Sequence, residues 1–374
     1  MEADISPRRI PVLKPSLPTA ERIAPWLARI DESRWYSNFG PLENLFRERL
    51  GRLAGLETDQ VALFCSGTAA LSVALRLMTG GQGGLCLMPS WTHIGTAAAA
   101  RAAGLEPFLL DCDARTWALD LETVRRCAGQ ANVRAVVPVA PFGSAIDYAA
   151  WDALGQELGL AVVIDAAASF DQFLGSGGAI PWGRTPVMVS LHATKVVGVG
   201  EGGMLLSADG DFAERTRKVS NFGIYDDLPI DDAFGNFKLS EYAAAVGLAF
   251  LEMWPERRGL LEAQSAEMAA AFARLGVLTA PGFGGPHVSS TCMVSVPGRS
   301  IAELESSLGA AGVDIRRWWR GGLHSLPSFA ACAREALPNT ERLAASFTGI
   351  PFYPGSMDSF GQVEAALEQS KPRS

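Results

Sequence analysis

The sequence predicts an α/β protein: a mainly parallel seven-stranded sheet with helices on both faces within residues 1–250, followed by a smaller α+β part over 251–374. Three observations carry this. From Val61 onward, short β-rich runs alternate with helical patterns. Those runs are near-continuously apolar rather than alternating, as in parallel strands buried on both faces, so helices must cover both. Beyond residue 250 the order changes to helix, "CMVSVPG", "SIAELESSLGAAGV" and "IRRWW", as in a small α+β domain.

In chain order the expected strands are "VALFCSG", "GLCLMPS", "LEPFLLDCD", "RAVVPV", "LAVVID", "VMVSLH" and "GGMLLSAD". After the first, "SGTAALSVALRLM" sets Ala70, Leu71, Ala74, Leu75 and Leu77 on one helical stripe behind a Ser-Gly-Thr cap. "AAWDALGQELGL" is a second helix, stopping at Gly159, and a third runs from Leu239 to Trp254, with the charged "PERRG" as a connector behind it. The first few residues and the tail "SKPRS" are expected to be disordered.

The 374 residues suffice for one large and one smaller domain, and 48% hydrophobic with 19% charged residues is ordinary globular composition. A net charge of -8 without a basic run argues against nucleic-acid binding. Six scattered cysteines without C-x-x-C spacing and an N-terminus without an apolar signal core imply a reduced, cytoplasmic protein. No apolar run reaches the roughly 18 to 20 residues that cross a bilayer. His93, His192, His287 and His324 lack metal-ligand spacing, so no metal is expected.

One stretch, "SLHATKVVGVGEGG" from Ser190 to Gly203, supports two readings. Gly198 to Gly203 spell G-x-G-x-x-G, but a dinucleotide turn must follow a strand and open a helix, whereas "MLLSAD" behind Gly203 reads as a strand. The alternative is Lys195, carried by a buried strand into a glycine-rich loop as the amine for a Schiff base with an aldehyde cofactor. Three strand ends supply what pyridoxal phosphate needs. Asp165, ending "LAVVID", is either a helix N-cap or the anion that keeps the pyridine nitrogen protonated. Ser66, Gly67 and Thr68 open a helix whose free N–H groups and dipole make an anion site. Ser190 adds a hydroxyl from the lysine's own strand.

These residues lie in segments that together resemble the DegT/DnrJ/StrS group of sugar aminotransferases, pyridoxal-phosphate enzymes of fold type I. The matching segments are "SGTAAL", "MPSWTHIGTAAAARAAGLEPFLLDCD", "VAPFGSAID", "VVIDAAASF", "SLHATKVVGVGEGG" and "GNFKLSEYAAAVGL", with "LHSLPSFAA" and "LPNTERLAASFTGIPFYP" toward the C-terminus. The resemblance implies that Lys195 forms the internal aldimine, that Asp165 contacts the pyridine nitrogen, and that Gly67, Thr68 and Ser190 hold the phosphate. It implies that Asn236 in "GNFK" reaches the phosphate of a neighbouring subunit, making a homodimer with shared active sites, and that His93 stacks on the ring. The implied reaction has two halves: an amino acid, L-glutamate, gives its amine to the cofactor, and a keto group of a nucleotide-linked deoxysugar then receives it. His324, Arg316, Arg317 and Asn38 are candidate substrate contacts, within a stretch from Trp35 to Pro41 that borders the sugar pocket and a small-domain segment in which Trp318 and Trp319 are packing residues. For the arginines, surface ion pairs are the competing reading.

Two departures stand out. Ala168 occupies the place where the family commonly has Gln or His bonding the ring hydroxyl. Lys238 stands where many members have arginine, which resembles the branch acting on dTDP-4-keto-6-deoxy sugars. A sugar dehydratase, in which histidine usually replaces the lysine, a keto-cyclitol aminotransferase and a non-catalytic binding protein are the alternatives.

Overall fold

The structure is a computed structural model that describes residues 9–130, 132–175, 180–225, 228–229 and 234–370. Seven strands form the central sheet: β1 Val61–Phe64, β2 Gly84–Pro89, β3 Leu105–Leu110, β4 Val133–Val136, a split strand of β5 Ala161–Val162 and β6 Ile164–Asp165, β7 Val187–Ser190 and β8 Gly203–Leu206. They lie in the order β3-β2-β4-β5 and β6-β7-β8-β1. The two halves meet in the split strand, where Val163 N–H donates to Val136 O and Asp165 N–H to Pro138 O. All neighbours are parallel except β8, which runs antiparallel to both β7 and β1.

Successive strand residues enter opposite cores, which explains the continuous apolar runs. Val61 and Leu63 pack on one side with α1 (Ala20–Ser33), α2 (Pro41–Ala54) and α8 (Glu241–Leu275). Ala62 and Phe64 pack on the other with α3 (Gly67–Thr79) and α4 (Ile94–Ala102). Burying both faces leaves the carboxyl ends of the parallel strands as the place where polar side chains gather.

The helix expected to end at Trp254 does not: α8 runs 35 residues through Pro255 and the "PERRG" segment. Proline removes one backbone bond and costs about 3 kcal/mol in a helix interior. The apolar stripe nevertheless continues on both sides of it, with Trp254, Leu261, Met268 and Phe272 all buried, and that burial outweighs the local penalty. Residue 250, where the domain boundary is expected, therefore lies inside α8, and the helix itself leads into the smaller part. There Leu278–Thr279, Cys292–Ser295 and Thr348–Ile350 make an antiparallel sheet in that order, covered by helices Ile301–Ala310 and Phe360–Gln369.

The first few residues and all but the first residue of the tail "SKPRS", which the sequence reading expects to be disordered, lie outside the described residues. Ser370, the first residue of that tail, is buried, and its hydroxyl donates to Ala366 O at 2.7 Å. Among the described residues no helix is long and apolar enough to cross a membrane.

Candidate active site

The glycine-rich stretch closes a β-hairpin. Between β7 and β8, Leu191 N–H donates to Gly202 O at 2.9 Å, Val199 N–H to Leu191 O at 2.8 Å and Ala193 N–H to Gly200 O at 2.8 Å. Gly200 adopts φ +94°, open to glycine at little cost, so the chain turns back into β8 and opens no helix. This removes the dinucleotide reading and assigns the glycines another task. Gly203 passes so close to the start of α3 that a Cβ there would collide with the backbone of Ser66 and Gly67. The hairpin brings Lys195 beside the N-terminus of α3, its N–H donating to His192 O at 2.9 Å.

Lys195 lines a cavity of about 400 Å³ together with Ser66, Gly67, Thr68, His93, Asp165 and Ser190. Each comes from the carboxyl end of a strand or the segment just after it, as the sequence reading expects. Asp165, 5% exposed, receives Thr96 Oγ1–H at 2.7 Å and Ala167 N–H at 3.1 Å. Thr96 Oγ1, on α4, in turn lies 2.8 Å from Thr92 Oγ1, on the turn before the His93 cap. Burial pushes the Asp165 carboxyl above its ordinary value, against the pull of Thr96, Ala167 and Lys195. Burial likewise pushes the Lys195 amine down, against Asp165. Desolvation thus outweighs the mutual attraction at both ends, and each group is driven toward its neutral form.

At the anion cradle, Ser66 caps α3, its Oγ accepting from Ala69 N–H at 3.1 Å. Gly67 leaves room that a Cβ would lose, since it would stand 2.9 Å from Met188 Sδ. His93 caps α4, its Nδ1 accepting from Gly95 N–H at 3.1 Å, which places the ring proton on Nε2. Burial, then Lys195, lowers its pKa and favours the neutral ring.

A second cavity of about 1040 Å³ shares Thr92, His93, Arg316, Trp318 and Trp319 with the first. His324 lies there, its Nδ1 2.8 Å from Ser90 Oγ. Arg316 lies over Trp318, 4.2 Å from the ring centroid, and borders both spaces. Arg317 borders the second but is held in a bidentate pair with Glu305, at 2.6 Å for each bond, so its guanidinium fork is already occupied. Trp319 is more than packing: it stacks on Phe142 at 4.0 Å between centroids and lines both cavities.

Asn38 and Asn236 do not reach this cavity within one chain. Both are exposed, and Asn236 Oδ1 accepts from Lys238 Nζ at 2.8 Å. Sequence reasoning missed Thr92, Thr96, Phe142, Ser290 and Thr291, all of which line it. Their local sequence carried no signal: Thr92 precedes the His93 cap while Thr96 lies inside α4, so the fold alone brings the two hydroxyls together.

Lysine and aspartate at neighbouring strand ends, beside a helix N-terminus opened by Ser66, Gly67 and Thr68, define a site for an aldehyde cofactor with an anionic arm. Its residues fit pyridoxal 5'-phosphate: Ser66 to Thr68 and Ser190 for the phosphate, Asp165 for the ring nitrogen, Lys195 for the aldehyde. The chain belongs to the DegT/DnrJ/EryC1/StrS aminotransferase family, which it matches over residues 19–367. It is similar to Protein Rv3402c of Mycobacterium tuberculosis, 29% identical over 382 residues, 98% of this chain and 91% of that one. It is also similar to the dTDP-4-amino-4,6-dideoxy-D-glucose transaminase of Shigella dysenteriae, 31% identical over 241 residues, 64% of each chain. The crystal structure of DesI in the presence of its TDP-sugar product matches with a TM-score of 0.83 at 29% identity, covering 98% of this chain and 95% of that one.

Proposed function

We propose that this aminotransferase moves an amino group from L-glutamate to the keto group of a nucleotide-linked 6-deoxysugar, of the dTDP-4-keto-6-deoxy class. The observation that carries the reading is the pair of adjoining spaces: a compact one around Lys195 and a larger one beyond Arg316 and Trp319. An amino acid needs only the first, whereas a sugar carrying a nucleotide needs both. The names of the Shigella dysenteriae transaminase and of the DesI complex agree with that acceptor.

When bound, pyridoxal phosphate supplies the electron sink for charge left on the substrate carbon. Lys195 moves the proton. Burial lowers the pKa of its amine and so favours the neutral form, in which Nζ would take up a proton from the substrate carbon. Asp165 would hold the ring nitrogen, and its bonds from Thr96 and Ala167 fix the carboxylate's direction.

Incubating the cofactor-loaded protein with L-glutamate is expected to bleach the absorbance of the Lys195-bound cofactor and release 2-oxoglutarate in equal amount. A spectrum that glutamate leaves unchanged would favour a non-catalytic binding protein.

The active unit proposed is a homodimer. Tyr36 and Tyr242 stack at 6.3 Å while each stays nearly half exposed, and Phe222 and Ile224 lie open near Asn236, an apolar surface suited to a second copy. Asn236 from that copy would complete the phosphate cradle. Light scattering should show a dimer, and Asn236→Ala should retain the dimer while loosening cofactor about tenfold, the value of one charge-assisted bond. Monomeric wild-type protein that retains full activity would exclude the shared site.

A further inference from the structure

Two separate loops contribute to the wall of the Lys195 cavity, which shares Thr92, His93, Arg316, Trp318 and Trp319 with the larger groove. One is Pro141–Asp147, which carries Phe142; the other is Pro286–Thr291, which carries Ser290 and Thr291. Both are pinned by consecutive buried residues of one five-residue π-turn, Asp171–Gly175, which starts six residues after Asp165. Such turns are rare and recur at functional sites.

Gln172, 8% exposed, clasps the backbone of Ile146. Its Oε1 accepts from Ile146 N–H at 3.1 Å and its Nε2 donates to Ile146 O at 2.8 Å. Asp171, fully buried, accepts Val288 N–H at 2.9 Å on Oδ2 and Arg258 Nε–H at 2.8 Å on Oδ1. Arg258 also donates to Pro286 O at 3.0 Å, closing a triangle between the π-turn, α8 and the second loop. A Cβ at Gly175 would overlap the Asp171 carboxylate, so the turn is shaped around that side chain. Gly143, at φ +86°, sits where a Cβ would lie 2.6 Å from Ser289 Cβ, so the two pinned loops also touch each other. Phe142 holds a left-handed φ of 54°, a conformation that persists only when its surroundings enforce it.

We propose that Asp171 and Gln172 are positioning residues that set the passage between the Lys195 cavity and the groove, and thereby the fit of the nucleotide-sugar acceptor but not of the amino donor. This rests on the acceptor class proposed above. Phe142 stacks on Trp319, which borders both spaces, so displacing it alters the junction that only the longer substrate crosses.

The test uses cofactor-loaded Gln172→Met and Asp171→Asn, with L-glutamate as donor and dTDP-4-keto-6-deoxyglucose as acceptor probe. The donor half-reaction should stay within about twofold of wild type, while KM for the sugar rises roughly tenfold or more, as loss of a buried hydrogen-bonded pair would give. Hydrogen exchange should quicken at Ile146 in the first variant and at Val288 in the second, with β6 and β7 unchanged. Gln172→Glu, which keeps the acceptor toward Ile146 N–H, should recover part of the sugar KM. Equal loss in both half-reactions, or an unaltered sugar KM despite faster exchange, would overturn the proposal. Should the wild type bleach with glutamate yet aminate no such sugar, the acceptor class fails instead, and the exchange data still decide whether the π-turn pins the two loops.

Discussion

Replacing Lys195 with alanine should abolish the absorbance of a lysine-bound cofactor and lower kcat by at least about a thousandfold, since in the proposed role one group is both anchor and proton carrier. Among the described residues no other lysine lines the cavity. Lys195→Arg should fail as well, because a guanidinium keeps its proton and offers no free amine. Neither loss should come from unfolding. Burial holds the amine below its ordinary pKa of 10.5, so its charge works against the fold. That cost is complete at pH below the folded value and fades as pH rises toward 10.5. The cofactor-free alanine variant should therefore melt no lower than wild type at neutral pH, with its relative gain largest on the acid side. Thermal melts across pH, beside absorbance scans of the loaded proteins, read both effects. Persistence of the absorbance in Lys195→Ala would displace the lysine from its role.

What could be read from the sequence follows a physical division. Residues at strand ends were legible, because a parallel sheet buried on both faces forces its polar termini to one edge: Lys195, Asp165, Ser66 to Thr68 and Ser190 all arrive there. Residues whose role depends on a distant partner were not. Thr96 bonds an aspartate 69 positions away, and Phe142 acquires its meaning only from Trp319. The commitment of Arg317 to Glu305 was equally hidden, since both charges are visible in the sequence but their pairing is set by how the 301–310 helix packs. Pro255 misled for the opposite reason: a strong local rule yielded to a stripe of burial several turns long. Asn38 and Asn236 stay outside the single-chain cavity, and nothing in the local sequence around either one announces that.

Asp165→Asn should separate stability from activity. Asparagine keeps the shape, its Oδ1 still accepts from Ala167 N–H, and the Thr96 hydroxyl can turn to accept from the new amide, so both bonds survive. What goes is the charge. Burial raises the Asp165 carboxyl above its ordinary 3.8, so the folded state binds its proton more readily than the unfolded chain does. Ionisation then costs nothing below pH 3.8, an increasing amount as pH climbs past it, and its full amount above the raised folded value. The cofactor-free variant should accordingly melt higher than wild type at pH 7, with the gap closing as pH falls toward 4. In catalysis the order should reverse, because in the proposed role the same carboxylate would favour positive charge on the ring nitrogen. Its removal should lower kcat by roughly a hundred- to a thousandfold, the scale of one lost preorganised electrostatic partner. Cofactor-loaded protein should also lose the stability advantage, since only the carboxylate gains a cationic partner there. A variant that turns over within tenfold of wild type, or that melts lower without cofactor at neutral pH, would mean that Asp165 serves the fold rather than the ring.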